Sequence, residues 1–444
     1  MARSRRKSGG GGSPNKKLPL KQSIPLGIQH VLAMFAGNIT VPIIVAGVFG
    51  STPAEKIFLI QMALFVAGVA TIIQTVGYGK VGSRLPIIQG TSFAFIPIML
   101  PFKALGLGAI FTAALIGGVF QMFIGKILKP IRHMFPPLVT GIVVLMIGVS
   151  LLKVGFMYAG GGAWLMYNKP EIFGNSNHLV IAGTVLIVSL ILNIKGKGMI
   201  SSASILLGMV AGYIVAMTFG MVNYSKIADA GWFAFPMPLQ YGIDFVPGAI
   251  ILMLFMSIVT TIETIGDISA TTMGGDNREA TNKELSGGIM ADGVGTAFGA
   301  LFNAMPNTSY SQNAGLVAFT GVTSRHVGTI AGIILVLMGL FPKLGGVIAA
   351  MPESVIGGAA IIMFGLIASA GIKLISRSEM NQTNMLILGL SLSFGIGLSL
   401  LPQFVSHIPD FGISFKLLLT TGLIPAGILA FVLNATLSKS KKKR

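Results

Sequence analysis

The stretch Asn307-Thr-Ser-Tyr-Ser-Gln-Asn-Ala-Gly-Leu-Val-Ala-Phe-Thr-Gly321 decides how this chain is read. Long apolar segments flank it, yet its first half is a polar run of Ser, Thr, Asn and Gln that tolerates extended backbone. Only after Gly315 does it turn apolar. In hydrocarbon, irregular backbone survives only where protein buries it or where it lines a cavity. A short extended piece feeding a half-helix presents free N–H groups to that cavity, with amide side chains beside them. The stretch therefore predicts a site for a small polar solute at membrane depth.

The rest of the chain supplies the membrane. Of 444 residues, 53% are hydrophobic and 10% charged, whereas a soluble domain carries about 25% charge. Apolar stretches of about 17–25 residues, the length that crosses a bilayer, recur almost end to end, so the expected class is an all-α polytopic membrane protein. The 59 glycines suit close helix packing and broken helices. The absence of Cys excludes disulfides, thiolate metal sites and Cys nucleophiles. The basic N-terminus leads straight into a full-length span, so no cleavable signal peptide is expected. A net charge of +18 raises nucleic acid as a partner, but its distribution argues for anionic membrane lipid instead. Seven of the 31 Lys and Arg stand in residues 1–21 and five in the tail 439–444, as cytoplasmic tails do under the positive-inside rule. The Gly/Ser-rich start, residues 1–16, reads as disordered.

Hydropathy predicts 14 segments: 25–49, 57–78, 85–99, 107–127, 136–156, 178–192 and 201–221, then 247–273, 282–301, 307–319, 327–340, 352–375, 381–401 and 411–437. The third and tenth are discontinuous. With both termini cytoplasmic, the inside loops and tails hold 24 Lys and Arg against seven outside. Phe135-Pro-Pro-Leu-Val-Thr-Gly141 matches Met351-Pro-Glu-Ser-Val-Ile-Gly357 at an offset of 216, and Gln89-Gly-Thr-Ser-Phe-Ala-Phe95 resembles Gln312-Asn-Ala-Gly-Leu-Val-Ala318 at 223. Two halves of seven segments follow. Seven is odd, so the second enters from the opposite side, giving an inverted repeat with the site between segments 3 and 10.

Acidic groups at membrane depth are costly and functional by default. Glu263, Asp267 and Asp292 fall well inside segments. Glu263 and Asp267, at i and i+4, share one helix face. A carboxylate facing a cavity accepts two N–H donors side by side, which suits a heterocycle. A second carboxyl nearby can hold or exchange a coupling proton. Asp292 reads as a support that binds backbone or Thr hydroxyls. Gln312 and Asn313 each offer a donor pair and an acceptor, with helix capping as the plainer role of Asn313. Gln89, Thr91 and Ser92 do equivalent work in segment 3. Phe93 either stacks on a planar ring or simply packs, and Gln29-His30 is a polar pair whose His reads more readily as a structural group than as a proton carrier.

At these residues the chain resembles the nucleobase–ascorbate transporter (nucleobase:cation symporter-2) family, whose signature reads Gln/Glu/Pro-Asn-x-Gly-x-x-x-x-Thr-Arg/Lys/Gly. Gln312-Asn-Ala-Gly315 followed by Thr320-Gly321 fits every fixed position. Gln29-His30, Ser92-Phe-Ala-Phe95 and the Glu-x-x-Gly-Asp from Glu263 to Asp267 match as well, and the likeness runs over residues 18–437. The resemblance implies a core of segments 1–4 and 8–11 (residues 21–134 and 247–350) and a gate of segments 5–7 and 12–14 (135–246 and 351–437), between basic tails at 1–20 and 438–444. It implies short β-strands in segments 3 and 10, a homodimer, an elevator-like motion of core against gate, and proton symport with no cofactor or metal. Carried over by matching positions, Glu263 is the main substrate carboxylate, Gln312 its amide partner and Phe93 the stacking ring. Backbone N–H groups near Phe93 and Gly315 complete the site, with Ser92 and Gln89 beside them, and Asp267, Asp292, His30 and Asn313 serve coupling or architecture. Gln-Asn-x-Gly ending in Thr-Gly, with Asp267 in segment 8, follows the family's purine pattern, so xanthine or urate is the expected cargo, taken up across the cell membrane.

Uracil or another base remains the alternative within the family. An anion exchanger of the same architecture would want Arg or Lys at the half-helix ends, where this chain has acids and amides. An intramembrane aspartyl protease built on Asp267 and Asp292 lacks its Gly-x-Gly-Asp motif, since Thr264-Ile-Gly266 precedes Asp267. The expectation is a transporter and not an enzyme.

Overall fold

Thr52 opens the helix Pro53–Val76. Its hydroxyl accepts from the Glu55 N–H, the Glu55 carboxylate takes the Thr52 N–H, and Pro53 fills a position that needs no donor. Thr281 and Glu284 start Asn282–Leu301 in the same way. These elements belong to a computed structural model that describes residues 13–127, 136–407 and 413–440. Eight described helices are long and apolar enough to cross a membrane. Arg325–Gly339 and Pro342–Ala349 form one further pair, bent by 79°, and Ser204–Thr218 and Leu423–Leu437 are shorter apolar helices. The fold is that of a polytopic helical membrane protein.

The first helix, Leu20–Phe49, ends where Gly50 turns left-handed at φ 70° and returns its N–H to the Ala46 carbonyl. Pro42 inside it has no N–H, which frees the Asn38 carbonyl four residues back. The Thr91 hydroxyl takes that carbonyl at 2.7 Å, while Asn38 Oδ1 accepts the Thr91 N–H at 2.8 Å. A defect in one helix thereby docks a strand.

That strand, Gln89–Thr91, pairs antiparallel with Asn307–Ser309, with Gln89 opposite Ser309, Gly90 opposite Thr308 and Thr91 opposite Asn307. Both strands are buried along their length. Each runs into a short helix. Ser92 caps a turn at Phe93–Phe95 that continues as Ile96–Met99, and Tyr310 precedes Ser311–Thr320. The two halves of the chain thus meet at one small sheet, each strand followed by a short helix. Gly90 is dictated by space: a Cβ there would stand 2.6 Å from Met34 Cε, 2.7 Å from Asn38 Oδ1 and 2.8 Å from the Tyr310 ring.

Against this junction lies the closely packed pair Pro137–Ala159 and Glu353–Ile375, each of 23 residues. Gly148 lets the two backbones touch, since a Cβ would sit 2.5 Å from the Ala368 nitrogen. The main apolar core joins this pair to the 20–49 and 247–276 helices.

Several expectations need correction. The repeat offset of 223 is out of register, because Gln89 and Asn307 each open a strand, 218 positions apart, and Gln312 sits already within a helix. Segment 14 is not one helix: Gly422, at φ +67°, separates Ile413–Thr420 from Leu423–Ser440. Residues 13–19, expected within a disordered tail, are fixed by hydrogen bonds from the Arg325 N–H to the Pro14 carbonyl (2.9 Å) and from the Ser324 hydroxyl to the Lys16 carbonyl (2.6 Å). The connection between the fourth and fifth expected segments, residues 128–135, lies outside the described residues.

Candidate functional site

The polar side chains around the strand pair fall into two groups, those whose hydrogen bonds are used up within the protein and those whose bonds are not. Asp292, fully buried on the 282–301 helix, belongs to the first. One carboxylate oxygen accepts from the Gln89 amide and the other from the Thr264 hydroxyl. Gln89 Oε1 accepts in turn from Asn307 Nδ2, and the Thr296 hydroxyl bonds both backbone groups of Asn307 at 3.1 Å. This chain ties both strands to two helices, so Gln89, expected at the substrate, lies behind the sheet as a support. Gln89 does not border the cavity that Thr91, Ser92 and Phe93 line, because its amide is held by Asp292 and Asn307.

Asp267 is likewise committed. Its oxygens accept from the Ser309 hydroxyl at 2.8 Å and the Ser311 hydroxyl at 2.6 Å, which clamps the corner where the second strand becomes a helix. Asn313 Nδ2 lies 2.9 Å from both Nδ1 and the carbonyl of buried His30, joining that helix to the 20–49 helix. Tyr310 donates its hydroxyl to the Thr91 carbonyl at 2.8 Å and so latches one strand to the other.

Glu263 belongs to the second group. It lines a cavity of about 290 Å³ together with Gln312, Ser92 and Phe93. Neither the Glu263 carboxylate nor the Gln312 amide has a hydrogen-bond partner among the described residues. Val259, Glu263 and Asp267 follow one another at four-residue spacing on one helix face; Val259 and Glu263 border the cavity, while Asp267, one turn on, meets the corner held by Ser309 and Ser311. The Phe93 ring borders the same space and meets Phe364 edge-on at 5.5 Å between centroids. The opposite wall, which sequence reasoning missed, is apolar: Val144 and Ile147 from one long helix, Met363, Leu366 and Ile367 from the other. In a chain this apolar, nothing distinguishes such residues from lipid-facing ones. Gly315 is exposed one turn beyond Gln312, with open space where a side chain would be, and does not border the cavity itself.

A carboxylate, an amide and an aromatic ring thus converge on a cavity with one polar and one apolar wall, at the small end of the pocket range of about 300–1,000 Å³. Such a site grips a flat polar ring by its edge and covers its faces with hydrocarbon.

The family model Xan_ur_permease, described as a permease family, matches residues 21–404. The chain belongs to the nucleobase–ascorbate transporter family. This permease is 36% identical to the xanthine permease XanP of Escherichia coli K12, over 96% of its own length and 94% of the relative's. It is also 36% identical to the uric acid transporter UacT of the same organism, over 93% and 85%. Among solved structures, the permease resembles the transmembrane domain of a cyanobacterial bicarbonate transporter, BicA, at a TM-score of 0.59 and 14% identity, covering 95% of this chain and all of that one. The last likeness concerns fold alone. The permease shares that fold while its cavity holds no Lys or Arg among the described lining residues.

Proposed function

We propose that this permease carries a purine base, xanthine or urate, into the cell together with a proton, and that Glu263 and Gln312 hold the base. The observation that carries the reading is the unpaired Glu263 carboxylate. Its neighbours Asp267 and Asp292 each have two hydroxyl or amide donors, whereas Glu263 has none among the described residues and faces a cavity. A half-buried carboxylate at membrane depth without protein partners is costly, so a ligand with adjacent N–H groups completes it. Gln312, facing the same space, supplies a donor and an acceptor to a ring carbonyl and N–H, and Phe93 supplies the stacking face. The names of the relatives, a xanthine permease and a uric acid transporter, agree with this cargo. The absence of cationic lining argues against the anion-exchanger alternative.

In this reading the strand pair with its half-helices forms the moving core and the 137–159 and 353–375 pair the gate, with the cavity at their boundary. In the same reading the chain crosses the bilayer 14 times as two inverted sets of seven, both termini lie in the cytoplasm, and the protein works in the cell membrane as a homodimer.

Uptake of labelled xanthine, urate, uracil and guanine into proteoliposomes, with and without a pH gradient, tests the assignment. Xanthine or urate should accumulate only while the gradient stands; accumulation on a sodium gradient alone would remove the proton. Glu263→Gln replaces half of the acceptor by a donor. With charge-assisted hydrogen bonds worth about 1.5–3 kcal/mol each, it should lower uptake by roughly 100-fold or more. Undiminished transport by that variant would refute the role of Glu263.

A further inference from the structure

We propose that a second site, away from the cavity, binds a phosphate group. A cleft of about 460 Å³ opens where three loops meet the N-terminal segment, and Lys80, Arg84, Lys283 and Arg325 all line it. None of the four forms an ion pair among the described residues. The acid in the lining, Glu284, is already occupied: it accepts from both terminal nitrogens of Arg278 at 2.9 and 2.6 Å and from Thr281. Four uncompensated cations around one cleft repel each other, and an anion with several oxygens relieves all of them at once.

The walls are built rather than draped. The loop behind Lys80 is closed by two 2.9 Å backbone hydrogen bonds between Tyr78 and Val81, then pinned by the Gly82 N–H on the Gly287 carbonyl (2.8 Å) and the Ser83 N–H on Gln74 Oε1 (3.1 Å). Arg84 is held at φ 60°, a left-handed backbone that a long side chain rarely adopts. Its guanidinium reaches back to the Gly79 carbonyl at 3.3 Å. Arg325 is anchored by Nη1 on the Val76 carbonyl at 3.0 Å, yet its buried Nε has no partner. Pro14 and Asn15 close the remaining side, held by the Arg325 N–H. A tetrahedral phosphate directs its oxygens out of one plane, unlike a carboxylate: inorganic phosphate offers four and a lipid phosphodiester two unesterified oxygens beside its two ester oxygens. The phosphate is either the headgroup of an anionic lipid or a phosphate free in solution.

The full chain in neutral detergent distinguishes these sources. One arm titrates short-chain phosphatidylglycerol against phosphatidylcholine; the other titrates inorganic phosphate against chloride at equal ionic strength, each read by thermal unfolding. A shift with phosphatidylglycerol alone assigns the headgroup, and one with inorganic phosphate assigns the free anion. The double variant Lys80→Gln/Lys283→Gln removes two side chains that make no hydrogen bond among the described residues, so the fold is retained. It should weaken the apparent Kd by roughly tenfold per charge. A control, Lys195→Gln/Lys197→Gln, removes equal charge from a loop outside the cleft and should leave it unchanged. Equal losses in both variants, or no shift with either probe, would overturn the proposal.

Discussion

Glu263, Asp267 and Asp292 carry the same functional group, and their surroundings give them different work. Asp292 accepts from an amide and a hydroxyl. In Asp292→Asn one oxygen becomes a donor facing a donor. Gln89 has no easy way to flip in response, because its Oε1 holds Asn307. The variant should lose about 1–3 kcal/mol of stability, read as a lowered unfolding midpoint. Asp267 accepts only from the hydroxyls of Ser309 and Ser311, which rotate to donate or accept, so Asp267→Asn should cost markedly less. Equal losses in the two variants would contradict this account of the networks. Glu263→Gln, by contrast, should leave the unfolding midpoint unchanged or raised while transport falls, because no protein donor among the described residues depends on that carboxylate.

At the level of elements, two strands of three residues hold the site in place. They pair across 218 positions of chain, and each is fixed by a different helix: Thr91 by Asn38 and Asn307 by Thr296. Short strands are weak alone, so their position depends on neighbours that admit them. Gly90 is the tightest of these fits. Gly90→Ala places a methyl under 3 Å from Met34, Asn38 and Tyr310, and displacing the strand carries Ser92 and Phe93 with it. Substrate affinity should drop at least tenfold even where protein is recovered from the membrane in normal amount. Wild-type affinity in that variant would show that the sheet does not position the cavity.

Across the whole molecule, the far end of the 137–159 helix meets the first helix through Tyr158. Its hydroxyl donates to the Ile44 carbonyl at 2.9 Å and approaches the Ile43 carbonyl at 3.3 Å. Gly47 makes room, since a Cβ there would stand 2.2 Å from that oxygen. Gly47→Ala should destabilise the protein by about 1–3 kcal/mol through overpacking, and adding Tyr158→Phe should restore part of the loss by withdrawing the hydroxyl. Absence of any recovery in the double variant would mean that the clash lies elsewhere. The contact joins the two bodies that the transport reading sets in relative motion, so the same pair of variants reports on how firmly that end is closed.

Composition and periodicity determined the membrane class and the polar interruptions at 89–92 and 307–313, and spacing picked out the three deep carboxyls, because each depends only on residues near one another in the chain. The signature from Gln312 to Gly321 was legible for the same reason. Which carboxyl stays free was decided only by the tertiary structure: Glu263 and Asp267 share a helix face, and their fates part when Ser309 and Ser311, more than 40 residues away, satisfy one of them. Gln89 was misplaced because the partners that hold its amide, Asp292 and Asn307, are distant in the chain. The apolar wall of the cavity was invisible because, in a bilayer, residues that face lipid and residues that face a ligand obey the same hydrophobic requirement.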